Sequence, residues 1–207
     1  MDNIHAKSTK KIVLNGVMAA LVFLATFFTR IPGPVPPGYI NFGDAVIMIT
    51  AILLGKSSGF IAGAFGSALA DVAAPGGLLF APITFIVKGI EGYVIGAIAR
   101  SRTTDEKHAN GAAIQASEVS EDSHKNKSPG YYEVRKVIAV IAGALIMVAG
   151  YFIAELSILK LFDSTFGYTA AISELPFNFI QGGVSVVLGY VLSSLLEKAG
   201  VHRLLEV

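Results

Sequence analysis

The sequence predicts an all-α membrane protein, a single bundle of six transmembrane helices, from three observations. Hydrophobic residues make up 53% of the 207 residues and charged residues only 15%, whereas a soluble domain carries about 25% charged residues. The mean hydropathy is strongly positive. Several apolar stretches approach the roughly 20 residues that a helix needs to cross a bilayer core of about 30 Å. Because so few charges cannot cover a water-facing surface, the solvent must be largely lipid.

The apolar runs divide one membrane domain, residues 1–207, into six predicted helices. Their expected bounds are about 12–31, 40–55, 58–75, 78–100, 136–161 and 174–197. The first run is interpreted as a retained span, because it is longer than a signal-peptide core and no small-x-small cleavage pattern follows it. The second is the shortest, and it reaches spanning length only by beginning near Tyr39 or by tilting among its neighbours. Residues 55–59, Gly-Lys-Ser-Ser-Gly, predict a tight turn before the third helix.

Basic residues are distributed unevenly along this topology. With a cytoplasmic N-terminus, 13 of the 16 lysines and arginines fall in cytoplasmic segments, while Arg30 and Lys160 lie outside and Lys88 lies within a span. The positive-inside rule therefore predicts that both termini are cytoplasmic. The polar segment 101–135 lacks the apolar periodicity of a core element, and we expect it to be a cytoplasmic connector.

The composition and motifs argue against several classes of activity. A net charge of +1 implies no nucleic-acid partner, and with no cysteine the chain cannot form a disulfide or a zinc–thiolate site. Gly55-Lys56-Ser57 resembles the end of a phosphate-binding loop, but Thr50 stands where the first glycine is required. We therefore expect no catalytic residues, no metal and no cofactor in this chain, which is not predicted to be an enzyme.

Ionisable residues interrupt the fourth and fifth spans at Lys88, Glu91 and Glu155. Such residues are costly in hydrocarbon and usually mark a pathway or a binding site. Helical spacing places polar residues together on single faces, which must turn inward because lipid cannot satisfy them. The candidate substrate-binding residues, all expected in the outer half of the bundle, are Tyr39, Asn41, Asp44, Thr84, Lys88, Glu91, Tyr151, Glu155, Asn178 and Gln181.

Structural roles compete with ligand binding at most of these positions. Lys88 and Glu91 can neutralise each other within one helix, and Asp44 at a helix start is favoured as an N-terminal cap. Asp71 is expected either at the lipid headgroups or paired with Lys88. Glu155 has no partner within its own helix, which makes it the strongest single candidate for a ligand contact.

Two further features allow a structural or a functional interpretation. Asn178 and Gln181 could hydrogen-bond neighbouring helices rather than a ligand. The loop 32–41 contains four prolines, which stiffen it, so it is either a lid over an outer cavity or a rigid link between helices. With no tryptophan in the chain, ring stacking on a ligand is expected from tyrosines and phenylalanines. The candidates are Tyr39, Tyr151, Phe177 and Phe179.

Three blocks carry a family resemblance: 40–46, Ile-Asn-Phe-Gly-Asp-Ala-Val; 63–71, Gly-Ala-Phe-Gly-Ser-Ala-Leu-Ala-Asp; and 80–92, which contains Thr84, Lys88 and Glu91. They resemble the substrate-binding S component of energy-coupling factor (ECF) vitamin transporters. The resemblance implies a six-helix protein of the bacterial cell membrane that captures a vitamin or precursor from outside. It also implies partners, namely a transmembrane coupling subunit and two ATP-binding subunits that use the ATP.

The resemblance extends to docking, gating and substrate. Many members carry an alanine-x-x-x-alanine docking motif in the first helix, where this chain has Gly16-x-x-x-Ala20. The first loop commonly gates the ligand site, which suits residues 32–41. The resemblance favours hydroxymethylpyrimidine, the thiamin precursor, with riboflavin and pantothenate carriers as near neighbours.

The charges of the predicted site agree with that preference. Four acidic residues, Asp44, Asp71, Glu91 and Glu155, face one cation, Lys88, so acceptors for an aminopyrimidine outnumber partners for an anion. The competing hypothesis is a stand-alone secondary transporter coupled to protons or sodium, with Lys88, Glu91 and Glu155 as a proton relay. Against it, the chain is short and shows no inverted repeat of broken helices.

Overall fold

In the computed structural model, the described residues, 2–36, 38–100 and 129–201, form six long helices and one short hairpin. The elements are α1 (Asp2–Phe28), β1 (Ile31–Pro32), β2 (Tyr39–Ile40), α2 (Gly43–Leu54), α3 (Lys56–Ala73), a 3-10 turn (Gly77–Leu79), α4 (Ala81–Arg100), α5 (Pro129–Ala154) and α6 (Tyr168–Lys198). Beyond Ala154, α5 continues as a π-helical turn, Glu155–Leu159, and a last α-helical turn, Lys160–Phe162.

Four helical segments are long and apolar enough to cross a membrane by length and composition: Ser8–Phe28, Ala81–Arg100, Gly130–Phe162 and Tyr168–Lys198. Large apolar side chains such as Phe28, Leu161 and Phe162 are more than 70% exposed, which suits a protein surrounded by lipid. The all-α class is thus found in the described residues. Six membrane crossings stay a prediction, because α2 has only 12 residues and α3 does not reach the same hydropathy.

The region between the first and third helices differs from the prediction. The second helix was expected at 40–55, but it begins at Gly43 because Tyr39 and Ile40 pair with Ile31 and Pro32 in an antiparallel hairpin. For the same reason α1 ends at Phe28 rather than near residue 31. We call residues 31–36 and 38–40 the hairpin. It was not predicted, because two-residue strands leave no periodic pattern in the sequence.

The predicted turn over residues 55–59 is also shorter than expected. Gly55 alone interrupts the helices, with a φ of 92°, and α3 begins at Lys56. A left-handed φ is readily adopted by glycine, so one residue suffices to reverse the chain.

The last two helices begin earlier than predicted. Because α5 starts at Pro129, residues 129–135 of the expected connector are helical, and proline suits a first helical position. The rest of that connector, 101–128, lies outside the described residues. α6 starts at Tyr168 rather than at 174, after Gly167. Its first turns mix Thr169, Ser173 and Glu174 with alanine and isoleucine, so the apolar run alone did not reveal them.

Glycines bring the backbones of α3 and α4 into contact. A Cβ built on Gly59 would lie 2.5 Å from the carbonyl oxygen of Gly92, and one built on Gly63 would lie 2.4 Å from that of Lys88. Larger residues at these positions would separate the two helices. This contact sets the position of the Lys88 backbone beside α3.

The two ends of the bundle have different interiors. A cluster of buried apolar side chains lies between α2, α4 and α5, and its largest members are Met48, Ile52, Ile95 and Val140. Near the hairpin, by contrast, the helix ends bury polar and charged side chains. The fold therefore buries its acidic side chains towards the hairpin, whereas the other end buries Lys136, which pairs with Glu133 and Glu197.

Candidate ligand-binding site

A cavity lies beneath the hairpin, with about 530 Å³ of atom-free space when its opening to solvent is included. Of the long helices, all but α2 contribute to its wall. The lining residues are Thr26, Gly38, Tyr39, Asn41, Ser67, Asp71, Phe80, Thr84, Lys88, Tyr151, Glu155, Glu174, Asn178 and Gln181.

Most of the residues predicted from the sequence meet at this cavity. Eight of the ten candidates line it: Tyr39, Asn41, Thr84, Lys88, Tyr151, Glu155, Asn178 and Gln181. Asp44 and Glu91 are absent from the lining, but both contact Lys88. The expected convergence of polar side chains from separate helices is therefore present, whereas contact with a ligand stays a prediction.

Lys88 is at the centre of a buried ionic cluster. Its Nζ contacts Asp44 Oδ1, and Glu91 Oε2 lies 3.3 Å away, close enough for an ion pair but without hydrogen-bond geometry. Gln181 Nε2 donates to Asp44 Oδ2 at 2.7 Å. All four residues are at most 5% exposed. We call these four residues the Lys88 cluster; it joins α2, α4 and α6.

This cluster decides between the roles weighed for Asp44 and Lys88. The prediction that Asp44 caps α2 is wrong, because both of its carboxyl oxygens are engaged by Lys88 and Gln181 and the helix start has no side-chain cap. The expected pairing of Lys88 with Glu91 is present, with Asp44 as an additional partner. Gln181 does join helices, as the structural interpretation expected, while also lining the cavity.

A second group of acidic residues faces the cavity without a cation. Asp71, Glu155 and Glu174 each line it, and no lysine or arginine of the described residues forms a salt bridge with them. We call these three residues the carboxyl group. Glu155 is 3% exposed, and its Oε2 has no hydrogen-bond partner among the described residues; the same holds for Asp71 Oδ2. A buried acceptor without a donor costs about 1–3 kcal/mol, so these oxygens are available to a ligand.

The backbone at Glu155 changes from α-helical to π-helical geometry. A π turn adds a residue to the helix turn and so alters which side chains point inward, and such turns are frequent at functional sites. It lies where the fifth helix meets the cavity. The position of Glu155 at its first residue is consistent with the ligand contact that the sequence favoured.

The hairpin covers the cavity through contacts with two helices. Tyr39 OH donates to Asp71 Oδ1 of α3, and the backbone N–H of Asn41, which follows β2, donates to Gln181 Oε1 of α6 at 2.8 Å. Burial, reinforced by the neighbouring Asp71, raises the pKa of Tyr39 well above its usual value. Its phenol therefore stays protonated and can donate. Of the two alternatives for Asp71, an ion pair with Lys88 is absent from the described contacts, and Tyr39 is the hydrogen-bond partner of Asp71.

The aromatic wall differs in part from the expectation. Tyr39 and Tyr151 line the cavity as predicted, and Tyr151 OH lies 3.0 Å from Thr84 Oγ1. Phe177 and Phe179 do not line it, and Phe179 is 52% exposed. Phe80 takes their place, at the start of the fourth helix.

Sequence reasoning did not assign several lining residues to the site, of which Glu174 is the most consequential. Glu174, Asn178 and Gln181 follow i, i+4, i+7 spacing on one face of α6, so the signal was present. It was overlooked because the helix was expected to begin at 174. Thr26, Ser67 and Phe80 carry no comparable signal.

Comparison with known proteins gives matches over nearly the whole chain. Residues 6–198 match the family model described as ECF-type riboflavin transporter, S component. The thiamine precursor transporter HmpT of Lactococcus lactis subsp. cremoris is 28% identical over 202 residues, which cover 97% of this chain and 94% of that protein. An uncharacterized protein of Pyrococcus woesei is 29% identical over 178 residues, 86% of this chain and 95% of its own length.

A shorter match comes from a UPF0397 protein of Streptococcus agalactiae. It is 31% identical over 96 residues, which cover 46% of this chain and 52% of that protein. This chain therefore spans about half the length of that relative.

Proposed function

Because the chain belongs to the S components of ECF-type transporters, which are membrane-embedded, multi-pass helical proteins and not enzymes, we propose that it captures a vitamin precursor from outside the cell. It delivers this ligand to a transmembrane coupling subunit powered by two ATP-binding subunits, which supply the ATP hydrolysis. The favoured ligand is hydroxymethylpyrimidine.

One observation carries this proposal: a cavity beneath the hairpin is lined by buried carboxyl side chains with acceptor oxygens that no described residue satisfies. A protein that captures a small polar molecule from water needs such unpaired groups, since paired ones have already met their hydrogen-bonding capacity. The cavity is surrounded by apolar helices, so a bound ligand is shielded from lipid and from water.

The chemistry of the wall favours a ligand with N–H and O–H donors. Hydroxymethylpyrimidine offers an aminopyrimidine edge and a hydroxyl group, both of which can donate to Glu155 or Asp71. Lys88 is already engaged by Asp44 and Glu91, so the carboxylate of pantothenate would find no unpaired cation among the described residues that line the cavity. The similarity to a protein named for a thiamine precursor supports the same choice. Riboflavin, named in the family description, is the alternative ligand.

The proposed topology has six membrane crossings, with the hairpin outside and both termini cytoplasmic. The distribution of basic residues supports this orientation. The short α2 is compatible with a crossing because nine of its 12 residues are buried, so its neighbours shield it from lipid. The same arrangement gives the cavity access from the exterior.

The proposed docking surface for the coupling subunit includes Gly16 and Ala20 of α1. Both positions are exposed, and a Cβ on Gly16 would meet nothing within 4 Å. Flat small-residue surfaces allow another helix to approach closely. G16L and A20L should therefore impair uptake by the complete complex while leaving ligand capture by the isolated chain intact.

Gly183 on α6 provides a matched control for docking, because it is also exposed and has nothing within 4 Å of an added Cβ. G183L should leave both uptake and capture unchanged. If G16L and A20L support normal uptake, the first helix is not the docking surface. Loss of capture together with uptake would indicate misfolding.

The main test is direct binding by the purified chain. We expect hydroxymethylpyrimidine to co-purify with the protein, as identified by mass spectrometry, and to bind without ATP or an ion gradient. Riboflavin and pantothenate serve as competitors in the same titration. Uptake into liposomes by this chain alone, driven by protons or sodium, would contradict the proposal and favour a secondary transporter.

A further inference from the structure

We propose that Glu174 is a positioning residue that holds the hairpin closed over the cavity. The inference rests on the proposed capture function, since a site that is covered must be uncovered to admit its ligand. It concerns a side chain that reaches the tip of the hairpin from the sixth helix, 139 residues away along the chain.

The carboxyl of Glu174 is inserted into the turn of the hairpin. Its Oε1 accepts a hydrogen bond from the backbone N–H of Val35 at 2.9 Å. A Cβ built on Gly33 would lie 2.9 Å from Oε1 and 3.0 Å from Oε2, and one built on Gly38 would lie 2.9 Å from Oε1. Only hydrogen atoms at these two positions leave space for the carboxyl, so the turn is shaped around it.

Besides this bond, the tip of the hairpin is held by the side chain of Val35, which packs against a buried apolar cluster that includes Ile83 and Leu159. The two strands of the hairpin have only two residues each, and an isolated hairpin of any length is at best marginally stable in water. The hydrogen bonds of Tyr39 and of the following Asn41 act near the base of the hairpin. Among the described hydrogen bonds, Glu174 supplies the side-chain bond to the tip.

The same side chain also lines the cavity and is 5% exposed. Opening the hairpin therefore breaks the bond to Val35 and exposes a buried carboxyl and a backbone N–H together. Loss of one such bond changes an equilibrium by about tenfold. Glu174 should thus determine how often the closed hairpin opens and how quickly a ligand enters or leaves.

A cysteine reporter can measure this opening without any ligand. The chain has no cysteine of its own, and Ser67 lines the cavity, is 1% exposed and has no hydrogen-bond partner for its Oγ among the described residues. An S67C variant should react slowly with a small water-soluble thiol reagent while the hairpin is closed. Adding E174A should raise the labelling rate about tenfold.

Two further variants separate the role of the contact from a general loss of stability. E174Q keeps an acceptor oxygen and should give an intermediate rate. G33A keeps the carboxyl but places a methyl group against it, so it should also accelerate labelling. Gly33 is not among the glycines with a positive φ, so alanine is not excluded there by backbone conformation.

The double variant G33A/E174A provides the decisive measurement. Removal of the carboxyl relieves the two closest contacts of the methyl group and leaves the Gly38 carbonyl oxygen at 3.2 Å, a distance that a small shift of the turn accommodates. The double variant should therefore label no faster than E174A alone. G38A should not be relieved in this way, because its Cβ would still lie 2.9 Å from the carbonyl oxygen of Val35. S173A, which alters the neighbouring residue on α6, should leave the rate unchanged. All variants should retain a cooperative thermal transition.

The outcomes distinguish this inference from the proposed function. If E174A, E174Q and G33A all label at the rate of S67C alone, Glu174 does not hold the hairpin, even when hydroxymethylpyrimidine binds. Additive effects of G33A and E174A would also overturn it. If labelling accelerates as expected but hydroxymethylpyrimidine never slows it, the role of Glu174 is supported and the proposed ligand is wrong.

Discussion

The Lys88 cluster and the carboxyl group are neighbouring sets of buried polar residues that differ in whether their charged atoms have partners. In the first, Lys88 contacts two carboxyl groups, and Gln181 donates to one of them. In the second, Asp71 and Glu155 each retain an oxygen without a partner, and no described cation is paired with them. Burial alone therefore does not identify a binding residue, and we expect ligand contacts at the unused acceptors that face the cavity.

The difference has a physical basis. A buried ion is tolerated only with a partner of good geometry, and such a pair fixes the relative position of the elements that carry it. The Lys88 cluster accordingly joins three helices behind the cavity. An unpaired acceptor has a cost in the empty protein that a ligand donor can remove, so we expect Asp71 and Glu155 to contribute to affinity.

The largest expected effect comes from removing the cation. K88M leaves Asp44 and Glu91 buried without their partner, and breaking a buried ion pair in this way costs about 3–5 kcal/mol. Thermal unfolding of the purified protein in detergent should show a strongly lowered transition. The control is K160M, which removes an exposed lysine from the last helical turn after α5, Lys160–Phe162. It should change the free energy of unfolding by less than about 0.5 kcal/mol. Equal stability of K88M and the parent would mean that the cluster does not join the helices.

The second effect should appear in affinity rather than stability. E155Q removes a charged acceptor that faces the cavity, and it should weaken hydroxymethylpyrimidine binding by about 1–3 kcal/mol. Thermal unfolding without ligand should change little, since Glu155 Oε2 has no partner to lose. S157A, two residues along the π turn at an exposed position, is the control for binding. An unchanged affinity for E155Q would remove Glu155 from the site.

A smaller effect is expected at the base of the hairpin. Y39F removes the donor to Asp71, and loss of one hydrogen bond should increase the ligand dissociation rate by an amount equivalent to about 0.5–1.5 kcal/mol. Because the pKa of Tyr39 is raised, its phenol is protonated both below and above neutrality. The effect of Y39F should therefore be the same at mildly acidic and mildly basic pH. Y168F, at a residue that is 71% exposed, should leave dissociation unchanged; a pH-dependent Y39F effect would contradict the assignment.

The smallest effect should come from a buried hydroxyl that contacts neither group. Ser185 is 0% exposed, its Oγ has no hydrogen-bond partner among the described residues, and it does not line the cavity. S185A should leave affinity unchanged and alter stability by no more than about 1 kcal/mol, in the stabilising direction. Calorimetric unfolding would measure it. A clear loss of stability would mean that the hydroxyl is satisfied in the folded protein.

Helical periodicity in the sequence predicted much of the site. The spacing of Thr84, Lys88 and Glu91 placed them on one face, and a polar face in a membrane protein must turn inward. Six candidate residues on the helices line the cavity as a result, together with Tyr39 and Asn41, which precede the second helix. The helix starts were less predictable, because the hairpin and the polar first turns of α6 interrupt the apolar pattern on which those bounds depended.

By itself, the sequence determined that this is a helical membrane protein with inward-facing polar residues, because composition and periodicity are local properties of the chain. The tertiary structure decided which of those residues are paired. Asp44 meets Lys88, and Glu174 meets Val35, across 44 and 139 residues respectively. No local pattern encodes such contacts, since they depend on how close helix backbones approach and on how the hairpin folds back. The distinction between paired and available carboxyl groups therefore arises only when the helices assemble.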